Sequence, residues 1–307
     1  MHMHARAVHA AVNWTTHPTA MSTKAALKAA KAAIGAKDWD EVKKQATAVI
    51  EKEPNNYFAY LFLGRANDGL SRFEEAAQAY YDAAKIRPED AQAWLGLRGM
   101  YEGLKGAKVD ENMHVGLQLA QIYMNLDDAH KSQSAIDKLV DHARAHGTKT
   151  QYARALGTML PSSPVYDYLE GRLPDPSKTY MCIAEIHETQ EASTIKRLID
   201  ERRLRIGATL GGTTAAVKNE VYAASPLESI YEDIINWTRD DDLRREYEEK
   251  LLMRAYDTLM VLPAGEKTEK REKVLKLAHD MVVIKHPNLL AWTIELEWRS
   301  GLEVEAH

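Results

Sequence analysis

Between roughly 23 and 104 the chain repeats itself at an offset of 34 residues, and this recurrence limits its fold more than any other feature. Gly35, Gly69 and Gly103 share one phase, as do Ala36, Leu70 and Leu104, and Ala29, Leu63 and Leu97. Trp39 pairs with Phe73, Glu41 with Glu75, and Pro54 with Pro88. A period of this size marks stacked supersecondary units, because one short unit cannot bury its own apolar face and must lean on its neighbours. The residue types describe paired helices. Gly64 and Ala76 are small where two helices of one unit approach closely, while Tyr60, Tyr80 and Trp94 fill the space between neighbouring helices. Pro54 and Pro88 end each second helix, since a proline ring clashes with the preceding turn and donates no N–H.

A 34-residue helix-turn-helix period is that of the tetratricopeptide repeat (TPR), whose best copy here runs from Tyr57 to about Asp90. Tyr60, Leu63 and Gly64 hold repeat places 4, 7 and 8, Ala76 place 20, Tyr80 place 24, Ala83 place 27 and Pro88 place 32. The earlier copy puts Ala26, Ala29 and Ala30 where bulkier residues are usual, and reads as a cap. The third copy opens on Trp94, Leu97 and Tyr101, but GLKGAKVDENMH (103–114) lacks a second-helix pattern, which predicts an extended or interrupted pair. A fourth pair phases on Leu119, Ala120, Tyr123, Ser132, Ile136 and Leu139 and ends near His146 and Gly147.

From 148 to 180 the text is irregular, with Pro161, Pro164, Pro174 and Pro176 bracketing a short helix at VYDYLEGRL. Helical periodicity then returns without the 34-residue phase, at 178–205, 214–223, 226–261, 266–285 and 289–299. No period-2 run of β-branched residues argues for a sheet. The expected fold is all-α, a TPR superhelical solenoid with regular repeats first and longer, irregular helix pairs after about residue 177. The expected organisation is a disordered extension over 1–20, a TPR array over 21–147, a Pro-rich irregular connection over 148–177 and divergent TPR-like repeats over 178–307.

Composition narrows the function. With 45% hydrophobic and 28% charged residues among 307, the chain folds. A net charge of −5 lacks the global positive field of a nucleic-acid coat protein. Cys182 is the only cysteine, which excludes an intrachain disulfide or a multi-cysteine metal site and fits a reducing compartment, cytoplasm or nucleus. No apolar run reaches the roughly 18 residues of a membrane span, so no membrane partner is expected. Residues 1–20 carry four histidines, Arg6 and no acid, like a weak transit peptide; an extension upstream of a second start at Met21 explains them more simply. His2 and His4 have nothing to fix them, and no metal site is expected there.

Catalytic motifs fail on inspection. His187-Glu188-Thr189-Gln190-Glu191 begins like HExxH but ends in Glu, whereas zinc needs the second imidazole one turn on. The 207–214 stretch (GATLGGTT) has phosphate-loop spacing with Thr213 in place of the lysine, and reads as a helix break. Cys182, between Met181 and Ile183, reads as a small core residue with no assignable His partner. No catalytic residue and no cofactor is expected. Lys196, Arg197, Arg202, Arg203 and Arg205 crowd one helix beside Asp200 and Glu201, and KTEKREK from Lys267 alternates in sign. A solvated face with i to i+4 pairs and contact with RNA phosphates or an acidic partner both fit these clusters. Glu228 to Glu249 holds nine acids against three arginines, which suits a basic partner or a solvated helix.

TPR arrays bind partners mainly through repeat places 2, 5, 9 and 12 of their first helices. Here these are Lys24, Leu27, Lys31 and Ile34; Phe58, Leu61, Arg65 and Asp68; and Gln92, Leu95, Gly99 and Glu102. A peptide-binding adaptor of another pathway, such as a cochaperone, is the alternative reading. A cochaperone clamp on a C-terminal carboxylate needs Lys and Asn donors at places that carry Leu27, Lys31, Phe62, Gln92 and Gly96, of which one is basic.

The stretch YEEKLLMRAYDTLMVLPAGEKTEKREKVLKLAHDMVVIKHPNLLAW (247–292) is too particular for a generic repeat. With 21–64 it resembles the N-terminal arm of the fungal superkiller-complex TPR scaffold family, over about 21–302, the strongest mark lying from Arg254 to Trp292. The resemblance implies a non-enzymatic cytoplasmic subunit that holds an RNA helicase and WD-repeat propeller subunits and feeds mRNA to the exosome for 3′-to-5′ decay. It further implies that this arm contacts the helicase core and gates it, with much of the propeller binding on a missing C-terminal arm. Family members are much longer, so the chain, ending in GLEVEAH, reads as an N-terminal fragment.

Overall fold

The computed structural model describes residues 22–104, 108–206 and 210–300, the side chains of 203–206 and 210–213 excepted. The 1–20 extension with His2 and His4, residues 207–209 of the 207–214 stretch and the GLEVEAH ending lie outside these residues. Every regular element among the described residues is a helix. They form two compact units, one up to Leu104 and one from Lys105.

The first unit contains α1 (Thr23–Ala36), α2 (Trp39–Lys52), α3 (Tyr57–Gly69), α4 (Phe73–Ile86) and α5 (Ala91–Gly103). Four of the five start where a short polar side chain meets orphan N–H groups: Ser22 accepts from Ala25 at 3.3 Å, Asp38 from Glu41 at 3.1 Å, Asn56 from Ala59 at 3.2 Å and Asp90 from Gln92 at 2.9 Å, while α4 begins at Arg72 without such a cap. The second helices stop at Lys52 and Ile86, and Glu53 and Arg87 then adopt ψ of 82°, the extended backbone that a following proline imposes. Tyr80, 4% exposed, lies flat between α3 and α5, where a Cβ on Gly64 would stand 2.7 Å from its ring and one on Gly96 2.5 Å. Glycine at both positions is therefore the complement of one tyrosine. The core alongside is built from small residues, Ala59, Ala66, Ala76 and Ala83 all having no exposure, which lets the helices approach closely.

The second unit contains α6 (Val109–Asn125), α7 (Ala129–His146), α8 (Lys149–Gly157), α9 (Pro176–Ile206), α10 (Leu210–Ala223), α11 (Leu227–Trp237), α12 (Asp241–Val261), α13 (Lys267–Val283) and α14 (Leu289–Arg299). Short 3-10 turns occupy Asp167–Leu169 and Ala264–Glu266. The α6–α7 pair is the fourth pair expected from Leu119 and Ile136, both buried. Three expectations need correction. The stretch read as irregular from 148 holds α8, nucleated by a reciprocal capping box between Thr148 and Gln151. The single helix read over 226–261 is two, because Thr238 turns extended and Asp240 caps a new start by accepting from Asp242 and Leu243 at 2.9 and 3.2 Å. The short helix expected at VYDYLEGRL is reduced to the 3-10 turn Asp167–Leu169.

One turn recurs in both units. Lys37, Ser71, Asp127 and Lys285 are the non-glycine residues with positive φ among those described, at 57°, 59°, 56° and 57°. Each follows the first helix of a pair, and the next N–H reaches back five residues, as in Arg72 to Asn67 at 2.8 Å and His286 to Met281 at 2.9 Å. This is the Schellman closure, which satisfies the carbonyls of a helix end and turns the chain sharply.

Candidate partner-binding surfaces

The first helices of the first unit carry the expected groove residues. Lys24, Lys31, Phe58, Arg65, Gln92 and Leu95 are exposed, as are Gly99 and Glu102. Leu61 is not: it is 2% exposed and belongs to the core. Leu27 is half-buried against the Ala26, Val49 and Ala59 cluster. The reason is positional, since α3 has a first helix on both sides, α1 and α5, whereas Leu95 at the same place on α5 remains 37% exposed. Phe58 stands at a corner where the Arg87 guanidinium lies 5.0 Å from its ring and 4.8 Å from that of Tyr57. Burial, then the neighbouring Asp90, pushes the Tyr57 phenol above its usual range. Of the clamp places, Phe62 is buried at 8% exposure and Gly96 is half-buried against Tyr80.

The basic cluster of α9 faces acids of its own chain. Arg197 bonds Glu201 at 2.8 Å and Arg202 bonds Glu220 of α10. Lys196 is exposed, and the side chains of Arg203 and Arg205 lie outside the described residues. The two other charge clusters turn out to be partners of each other. Lys270 of KTEKREK pairs with Glu228, and Lys273 pairs with Glu228 at 3.1 Å and Glu232 at 2.7 Å. Burial alone would raise the Glu228 carboxyl, but hydrogen bonds and charge from Lys270 and Lys273 hold it below its usual range.

The HETQE stretch is structural. Glu188 accepts from the Tyr231 hydroxyl at 2.7 Å, and Glu191 receives both terminal nitrogens of Arg254, one at 3.0 Å. Burial depresses the His187 imidazole, only partly offset by the charge of Glu191. Arg254, 9% exposed, also lies 3.7 Å over the Tyr222 ring. It thereby ties α12 to α9 and α10, which explains why Arg254 opens the distinctive RAYDTL stretch. This network escaped sequence reasoning because its partners lie 63 residues apart. At the other end of that stretch, the Trp292 indole N–H donates to the His286 carbonyl at 2.8 Å while Asn288 caps α14. Trp94 does the same to Pro88 at 2.9 Å above the Asp90 cap. Cys182, expected in the core, is exposed, since it falls on the outward side of α9 between half-buried Met181 and buried Ile183.

Among the described residues no group of three His, Cys, Asp or Glu side chains is placed to hold a metal, and no helix is long and apolar enough to cross a membrane. Within each unit the helices pair into hairpins with exposed residues on the first helices and internal ion-pair ties, the all-α architecture of a tetratricopeptide-repeat solenoid. The Tetratricopeptide repeat family model matches residues 161–248, within the stretch where the 34-residue phase has faded. The chain is homologous to Superkiller protein 3, being 32% identical to that of Schizosaccharomyces pombe over 92% of its own length. It is 25% identical to Superkiller protein 3 of Saccharomyces cerevisiae over 90% of its length, and 34% identical to Superkiller complex protein 3 of Homo sapiens over 38%. The chain spans about a fifth of the length of the two fungal relatives, 20% of each.

Proposed function

We propose that the chain is a non-catalytic scaffold arm of a superkiller-type complex. In this reading it contacts and gates an RNA helicase subunit that feeds mRNA to the cytoplasmic exosome for 3′-to-5′ decay, while WD-repeat propeller subunits bind mainly outside it. The observation that carries the proposal is the 32% identity to Superkiller protein 3 over 92% of the chain. The contacts of Arg254, Glu191 and Glu188 support it, because the HETQE stretch, which begins like a zinc-protease motif, joins helices instead. Purified chain and helicase subunit should co-elute in size-exclusion chromatography, and the chain should change the helicase ATPase rate. Separate elution at micromolar concentrations, or ATP hydrolysis by the chain alone, contradicts the proposal.

Direct RNA contact through Lys196, Arg197, Arg202, Arg203 and Arg205 is the narrower part of the reading. Binding of a labelled single strand should weaken steeply with salt, and a flat titration removes it.

A further inference from the structure

The acidic stretch from Glu228 to Glu249 contains one carboxylate that its own chain leaves unanswered. Five of its nine acids, Glu228, Glu232, Asp241, Asp242 and Glu246, pair with a lysine or arginine of this chain. Asp240 caps α12, Asp233 accepts from the Tyr180 hydroxyl, and Glu249 lies 3.7 Å from His286. Glu248 differs: its Oε2 is buried and has no hydrogen-bond partner. A carboxylate oxygen removed from water without a partner is costly, and such a group is most simply completed by an external cation or N–H.

Glu248 opens into a cavity of about 360 Å³ in the second unit, between α11, α12 and α13. Its apolar walls are Ile235, Leu251, Leu277, Met281 and Ile284. Ile284 is 60% exposed, so the apolar lining reaches the surface. Two more acids line it, Asp280 and Glu232, the latter paired with Lys273. The volume falls at the lower end of ligand pockets, roughly 300–1,000 Å³, suited to anchoring a side chain. With Glu232 already answered by Lys273, Glu248 and Asp280 are the acids beside the apolar floor that select a cation next to a hydrophobic group and repel nucleic-acid phosphate.

The geometry points to this groove as a docking site for a basic-apolar peptide of a partner protein. A leucine-like side chain fills the floor, and an adjacent lysine or arginine bonds Glu248. The site belongs wholly to the second unit and does not depend on the superkiller reading.

The test uses the full chain and a fluorescein-labelled peptide with a central Leu flanked by Lys, against one with Glu for each Lys and one with Ala for Leu. Anisotropy should show saturable binding of the Lys-Leu peptide, and roughly tenfold weaker binding or none for the other two. Glu248→Gln should weaken the first peptide by about tenfold while leaving the melting temperature in place, and Ile284→Asp should do the same. On the unmodified chain, the same peptide should shift the methyl resonances of Leu277 and Ile284, which keeps the test valid if a variant misfolds. No saturable binding, binding that both variants leave intact, or methyl shifts elsewhere overturns the proposal. So does self-association abolished by Ile284→Asp, which assigns the groove to a second copy.

Discussion

The two units solve one packing problem by different means. In α1–α5, cohesion comes from shape: alanines without exposure, and Tyr80 laid against Gly64 and Gly96. The ion pair joining its hairpins, Lys43 to Glu75, is solvent-facing, with side-chain exposures of 30% and 54%. In α9–α13, helices that have lost the repeat phase are joined by enclosed charges, Glu191 to Arg254 at 12% and 9% exposure and Glu228 to Lys270 at 20% and 17%. Shape complementarity repeats from unit to unit and can be stacked indefinitely, whereas a charged tie is particular to two helices. The comparison teaches that an irregular repeat keeps its helices in place by pairing residues rather than by periodic small-to-large packing.

The largest effects should come from removing one partner on either side of this contrast. Arg254→Ala strands Glu191 and should cost roughly 3–5 kcal/mol in denaturant unfolding. Replacing both residues, Glu191→Leu with Arg254→Met, should recover most of that loss, since apolar packing can match a buried ion pair. Trp94→Ala should cost about 3–5 kcal/mol through the cavity left behind and the lost tie to Pro88, and an unchanged melting curve would break the shape account of α1–α5.

Acid should then separate the units. Burial holds the His187 imidazole below the ordinary 6.5, so the stability from its neutral form is complete above that pH and is lost as pH falls below it. Glu228 is held below 4.5, so its contribution is present above the ordinary carboxylate range and lost as pH falls through the depressed value. Residues 22–104 contain no histidine. Circular dichroism melts of the whole chain should shift downward below about pH 6.5, and His187→Gln should remove that first step. A step that persists in the variant assigns it to another group.

Much of the first unit was legible because a repeat writes its geometry many times over. Pro54 and Pro88 mark helix ends, Trp39 and Phe73 begin second helices, and Gly64 pairs with a tyrosine at a fixed place. Leu61 was misplaced because repeat position alone does not say how many neighbours cover a helix. The breaks around α8 and α12 were written in the chain, as Thr148 with Gln151 and as Asp240 before two further acids, but the irregular composition and the long apolar periodicity hid them. The partners of Arg254, Lys270 and Lys273, 63, 42 and 45 residues away, were not legible, because charge complementarity carries no register.

Smaller effects sharpen what the units share. Asn288→Ala should cost about 1 kcal/mol by removing the α14 cap that accepts from Ala291 at 3.0 Å. Ser71→Gly should stabilise by roughly 0.5–1 kcal/mol, because glycine meets a φ of 59° without steric cost. Loss of stability there would show that the Ser71 side chain contributes more than its backbone costs.

Hydrogen exchange read by mass spectrometry, comparing the unmodified chain with Arg254→Met, tests the charged-tie account most directly. Faster exchange in peptides from α9, α10 and α12, with α1–α5 protected as before, is the predicted result. Unchanged protection in those three helices would contradict it.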